Sequence, residues 1–166
     1  MAVALDTNLR DKADFKHNLV VEGPDFSRRE EGKTATATIF IGAIVTKTSR
    51  AQPIVGLCST YQMVAGIVEG YTNRDEPDQD EGYWYQDYDV PFAINKYVVV
   101  CQLVPGQILW VCSGTQKTIK RGEPLKIVDG VLEAATTGDD IYFVSEEDVT
   151  GVANTRKYFR AKVVKA

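Results

Sequence analysis

Residues 98–135, VVVCQLVPGQILWVCSGTQKTIKRGEPLKIVDGVLEAA, decide how this chain is read: short apolar runs alternate with tight turns, and no catalytic group interrupts them. Pro105-Gly106 suits a type II turn, with proline fixing φ at the first central position and glycine supplying φ > 0 at the second. Asp129-Gly130 suits a two-residue hairpin turn. With the register set by Pro105-Gly106, Val99, Cys101, Leu103, Ile108, Trp110 and Cys112 share one face of a hairpin, and Val98, Val100, Val104, Leu109 and Val111 share the other. A sheet with one wet face alternates, and this one does not. Each fully buried Val or Leu contributes about 1.5–3 kcal/mol, so the second face is expected to be covered, by another sheet of the chain or by another subunit.

Outward from this centre the same grammar continues. Residues 34–46, TATATIFIGAIVT, are rich in β-branched residues and predict a strand with a bend at Gly42. Ile54 to Cys58, Met63 to Glu69, Leu125 to Val128, Val131 to Ala135, Ile141 to Val144 and Tyr158 to Val164 predict further short strands. The body, 35–166, is expected to be all-β, a small barrel or sandwich of short antiparallel strands. Residues 1–34 are polar and charged without sustained periodicity and are expected to form an extended N-terminal arm. Ordering that arm costs on the order of 30–60 kcal/mol, which its few apolar side chains offset only against a partner surface. A short helix using Leu5, Leu9 and Ala13 is the alternative.

With 166 residues, the chain is expected to bury roughly 70% of its unfolded surface as one domain. Three cysteines, Cys58, Cys101 and Cys112, without CxxC spacing, and one histidine do not compose a zinc site. They are expected as buried thiols in a reducing compartment. The charged N-terminus lacks a signal-peptide core, and no segment approaches the ~20 apolar residues of a membrane helix, so neither export nor a membrane is expected. A net charge of −4 and a pI near 5.1 argue against a general nucleic-acid binder.

The charge is uneven. Arg74 to Asp89 holds seven acids and one base, −6, whereas Arg156 to Ala166 carries five bases and no acid. The loop at 73–89, NRDEPDQDEGYWYQDYD, is the one segment whose carboxylates suggest Ca²⁺ and whose Tyr83, Trp84, Tyr85 and Tyr88 suggest sugar stacking or a partner. Its spacing excludes an EF-hand, because glycine comes a position early and no terminal glutamate follows. Carboxylates in loops are more often solvated surface than a hydrolytic pair. His17 has no nucleophile beside it and reads as an exposed polar residue. Neither GxxxxGK nor GxGxxG occurs, so no nucleotide cofactor is expected. The basic C-terminal strand reads as a solvent-facing strand rather than a nucleic-acid contact.

Ile41-Gly42-Ala43-Ile44-Val45, Val64-Ala65-Gly66-Ile67-Val68, the Val104-Pro105-Gly106-Gln107 turn, Ile119-Lys120-Arg121-Gly122-Glu123-Pro124-Leu125, Asp129-Gly130-Val131-Leu132 and the closing Arg160-Ala161-Lys162-Val163-Val164 together resemble the capsid cement (head decoration) proteins of tailed bacteriophages. The resemblance covers most of residues 38–166 in order, through turns with flanking strands. It implies a β-rich, non-enzymatic virion protein, made in the host cytoplasm, that binds the outside of an expanded icosahedral shell. The implied partners are the major capsid protein and further copies of the chain, a trimer more readily than a dimer, with no cofactor, metal, nucleic acid or membrane. The N-terminal segment and the 73–89 insertion exceed a minimal member of that family. Shell or subunit contacts are expected at Leu5, Leu9, Phe15 and Phe26 of the arm, Trp84 and Tyr85 of the loop, Val100 of the central strands, and Arg160 and Lys162 at the C-terminus. The acidic loop of one protomer is expected to face a neighbour's basic strand. A carbohydrate- or calcium-binding β-module using the 73–89 loop is the alternative.

Overall fold

The computed structural model describes residues 4–5, 19–49, 51–59, 62–72, 83–84 and 91–166. The described residues form strands and no helix: β1 (Ala4–Leu5), β2 (Val20–Glu22), β3 (Arg29–Thr34), β4 (Ile44–Lys47), β5 (Ile54–Leu57), β6 (Gly66–Thr72), β7 (Tyr83–Trp84), β8 (Tyr97–Cys101), β9 (Ile108–Cys112), β10 (Pro124–Val128), β11 (Val131–Ala134), β12 (Phe143–Ser145), β13 (Thr155–Arg156) and β14 (Tyr158–Val163). The described residues are all-β, as the turn grammar of the sequence predicts.

Two six-stranded sheets hold all of these strands but β1 and β13, which pair with each other as a separate two-stranded sheet. The first runs β4-β5-β3-β8-β6, and β6 pairs back onto β4, closing a barrel; β7 extends β6 beyond the closure. The second runs β11-β10-β12-β14-β9-β2. It curls until Leu132 of β11 bridges Ser113 at the end of β9, where the Gly114 amide donates to the Leu132 carbonyl at 3.0 Å. Its two halves therefore face each other like a sandwich, closed at this bridge into a second, flattened barrel. Most pairings are antiparallel; β3 with β5 and β1 with β13 are parallel.

The central hairpin expected around Pro105-Gly106 does not form. The turn itself does, with Gly106 at φ 95° and the Gln107 amide donating to the Val104 carbonyl at 3.1 Å. It is a corner between sheets: β8 pairs with β3 and β6, β9 with β14 and β2, and neither has an edge left for the other. Gln107 holds this corner from a fully buried position, its Oε1 accepting the Val104 amide at 2.8 Å and its Nε2 donating to the Pro24 carbonyl at 2.9 Å. The two-faced apolar pattern has the cause the sequence implies. Val98 to Cys101 and Leu109 to Cys112 are all buried, and the cover comes from this chain.

The division into an arm, 1–34, and a body, 35–166, places the boundary too late. β2 pairs along β9, β3 is an inner strand of the barrel between β5 and β8, and Leu19 and Phe26 are buried. The sequence of β3, REEGKT, hides this because its outward positions carry the charge. Its buried positions are Gly32 and Thr34. Glycine is required there by packing: a Cβ on Gly32 would lie 2.9 Å from Val55 Cγ1 and 3.2 Å from Val100 Cγ2. Of residues 1–18 only Ala4 and Leu5 are described, so the helix alternative lies outside the described residues.

Residues 34–46 also depart from the expected strand. Thr34 ends β3 and extended structure resumes only at Ile44, while 35–43 is a run of bends and turns that buries Ile39, Phe40, Ile41 and Ala43. Gly42, at φ 84°, reverses the chain beneath Tyr158. The Asp129-Gly130 hairpin joins β10 to β11 as expected, with Val128 opposite Val131 and both turn residues at positive φ, 48° and 79°, the signature of a type I′ turn. Its tip docks on the first barrel. The Gly130 amide donates to the Cys58 carbonyl at 2.7 Å, the Ile44 amide donates to the Gly130 carbonyl at 2.9 Å, and Ser59 Oγ donates to Asp129 Oδ1 at 2.8 Å.

Candidate interaction surface

The residues expected to make contacts do not gather into one patch. Phe26 and Val100 belong to the core: Phe26 lies under the Arg29 guanidinium, 5.3 Å from its ring centroid, and Val100 packs against the glycine positions 32 and 66. Neither offers a surface to a shell or a neighbour, because the charged and glycine-bearing strands beside them already cover them. Leu5 lies in β1 opposite Arg156, and Trp84 lies in β7 opposite Tyr71. Leu9, Phe15 and Tyr85 lie outside the described residues. Arg160 and Lys162 are neighbours on β14, and Lys162 is exposed.

The basic C-terminal stretch does not present +5 to a neighbour. Glu147 takes Arg160 twice, accepting its amide at 2.8 Å on Oε1 and its Nε at 3.2 Å on Oε2. Lys165 pairs with Asp140 at 3.0 Å and sits 4.8 Å from the Tyr142 ring centroid. Arg156 lies over Phe40. Arg160 and Lys165 are thus paired with carboxylates of this chain, Arg156 is stacked on a ring without one, and Lys162 is the exposed charge of β14. Sequence reading missed this because Glu147 and Asp140 belong to the preceding loops, and only the β12–β14 pairing brings them alongside.

A second polar cluster, invisible in the sequence, surrounds Glu69. A bulge in β6 between Val68 and Gly70 makes Glu69 the extra residue. Its Oε2 accepts from Arg29 Nε at 3.1 Å and from the Cys101 thiol at 3.3 Å, and Arg29 also reaches Asp25 at 3.2 Å. Desolvation by burial, followed by the Glu69 carboxylate, pushes the Cys101 thiol far above the ordinary thiol range. Burial alone pushes Cys58 up to about 11, and burial outweighs the nearby Arg156 charge to push Cys112 up to about 12. All three cysteines are free and buried, as expected. Thiols held neutral in this way are poor nucleophiles and poor metal ligands.

Among the described residues no group of three or more His, Cys, Asp and Glu side chains converges as a metal set. No described helix is long and apolar enough to cross a membrane. The carbohydrate- or calcium-binding alternative rests on the 73–89 loop, of which only the two residues of β7 are described, and His17 also falls outside. What the structure does show is a junction between the two barrels, made by the Asp129-Gly130 tip and by Tyr158 on Ile41, and β1 laid along β13. The chain matches no protein-family model and no curated protein.

Proposed function

We propose that this protein is a non-enzymatic structural protein that binds the outer surface of an icosahedral capsid and stabilises the expanded shell. The observation that carries this reading is the coincidence between the motifs that resemble capsid cement proteins and the framework of the fold. Val104 to Gln107 makes the corner between the sheets, Asp129-Gly130 makes the hairpin tip that docks the barrels, and 160–164 lies at the closing strand β14. A resemblance spread over turns that each hold the architecture is worth more than one confined to a single motif.

The partners in this reading are the major capsid protein and further copies of the chain, assembled as a trimer on the virion surface. β1 supports a role for the N-terminal segment. It pairs in parallel with β13 over two residues, a separate two-stranded sheet that ties this segment to the body. The test is cosedimentation of the purified full-length chain with expanded shells of the virus that encodes it. Saturable binding at a fixed ratio to the shell subunit is expected. Shells that pellet without the chain across the whole concentration range contradict the reading.

A further inference from the structure

At the junction of the barrels the guanidinium of Arg156 lies over the ring of Phe40, 3.8 Å from its centroid. The stack engages the face of the guanidinium and leaves its edge. Nε is buried and has no hydrogen-bond partner, and no carboxylate among the described residues pairs with the group. Arg160, half-buried like Arg156, is treated differently, meeting Glu147 at 3.2 Å, and the more exposed Arg29 meets Glu69 at 3.1 Å. A guanidinium has five N–H donors, no acceptor and a charge that cannot be lost, so it cannot relieve its position by deprotonation.

The group is held ready. Phe40 is almost fully buried, and the Tyr158 hydroxyl donates to the next carbonyl, that of Ile41, fixing the segment that carries the ring. On the other side, β13 is held between β1 and the Gln116 amide, which donates to the Thr155 carbonyl at 3.1 Å. Arg156 is only half-buried, so its terminal nitrogens lie toward solvent while Nε is covered. That leaves an end-on fork whose geometry fits the two oxygens of a carboxylate.

We propose that Arg156, stacked on Phe40, is a receptor for an acidic side chain of a partner protein, whose carboxylate binds across the two terminal nitrogens. A single guanidinium matches a monovalent carboxylate in charge. A phosphate dianion needs more positive charge than one such group supplies. Pre-organisation by the stack lowers the entropy lost on docking, which makes the position an anchor at the junction. The inference concerns the chemistry of the contact and holds whether or not the partner is a capsid shell.

The test uses the intact, ¹⁵N-labelled protein and follows the Arg156 Nε–Hε resonance, assigned by its nuclear Overhauser effects to the Phe40 ring. Sodium acetate is titrated against sodium chloride at matched ionic strength, with sodium phosphate as a third arm. A saturable shift with acetate, half-complete on the order of 10–100 mM for one charge-assisted pair, and none with chloride, is expected. Arg156→Lys keeps the charge and loses the fork, and the acetate shifts of the neighbouring Phe40 and Leu5 amides should vanish with it. No acetate response, an equal response to chloride, a stronger response to phosphate, or unchanged shifts in a folded Arg156→Lys protein would each overturn the assignment.

Discussion

The hydroxyl of Tyr158, on β14 of the second sheet, donates a hydrogen bond to the carbonyl of Ile41, in the turn segment that precedes the first barrel's β4. The neighbouring Gly42 leaves room for the ring: a Cβ there would lie 2.8 Å from Tyr158 Cε1. Tyrosine and glycine thus form one lock across the junction, with the hydroxyl satisfying a carbonyl that no strand pairing reaches.

Removing the hydroxyl should therefore cost more than an average surface hydrogen bond. Tyr158→Phe keeps the ring and leaves the Ile41 carbonyl buried without its partner, a loss of about 1–3 kcal/mol. Urea unfolding should show a lower midpoint with an unchanged slope. A shift of a few tenths of a kcal/mol would mean that the lock is incidental.

The hairpin tip tests the docking of the barrels separately. Gly130 has φ 79°, and a Cβ there would meet Leu57 Cδ2 at 2.6 Å and the Ile44 carbonyl oxygen at 3.1 Å. Gly138 has φ 95° with nothing within 4 Å of its Cβ position. Alanine at either position pays the left-handed backbone cost of about 1–2 kcal/mol. Only Gly130→Ala adds the inter-barrel clash, so it should be the more destabilising of the two by thermal melting. Equal losses would contradict close docking.

Alkaline stability follows from the thiols. A thiol whose folded-state pKa is raised contributes stability that is whole below its unfolded value and is lost as pH rises toward the folded one. With Cys58 pushed up to about 11 and Cys112 to about 12, chiefly by burial, the decline should run from the ordinary value of 9.0 upward. Melting temperature against pH should flatten over that range in Cys112→Ala. In the native protein at pH 8, all three thiols should resist iodoacetamide until the chain unfolds.

Acid stability has an identifiable contributor as well. Asp139 accepts the Thr136 amide at 2.7 Å, then its hydroxyl at 2.8 Å, and pairs with Lys126 at 3.1 Å, which together hold its carboxyl below the ordinary value of 3.8. A depressed carboxyl stabilises above its unfolded value and loses that contribution as pH falls through the folded one. Asp139→Asn should shrink the loss of stability below about pH 4. An identical acid limb in variant and parent would remove Asp139 from the account.

The parts of the fold legible in the sequence were those written locally. Asp129-Gly130 announces its hairpin because both residues tolerate positive φ, and the valines of β8 announce a strand buried on both faces. What the sequence does not announce is which strands meet. β8 and β9 read as a hairpin because a turn joins them, yet the turn serves equally as a corner once both strands find partners elsewhere. β3 was hidden by a different cause, since its buried face is glycine and threonine and its charged residues point outward. The 39–43 segment misled in the opposite sense, its β-branched residues buried by turns rather than by a ladder. Contacts such as Arg156 on Phe40, or Glu147 with Arg160, depend on long-range packing or on sheet order, and no residue pattern within either segment encodes them.

The proposed capsid role is tested most directly by quantitative peptide mass spectrometry of virus particles purified from the source of the chain, measuring its abundance against the major shell protein. A near-stoichiometric ratio is the expected result and would place the protein over the shell surface. Its absence from intact particles would contradict the account and direct attention to the 73–89 loop as the site of a ligand.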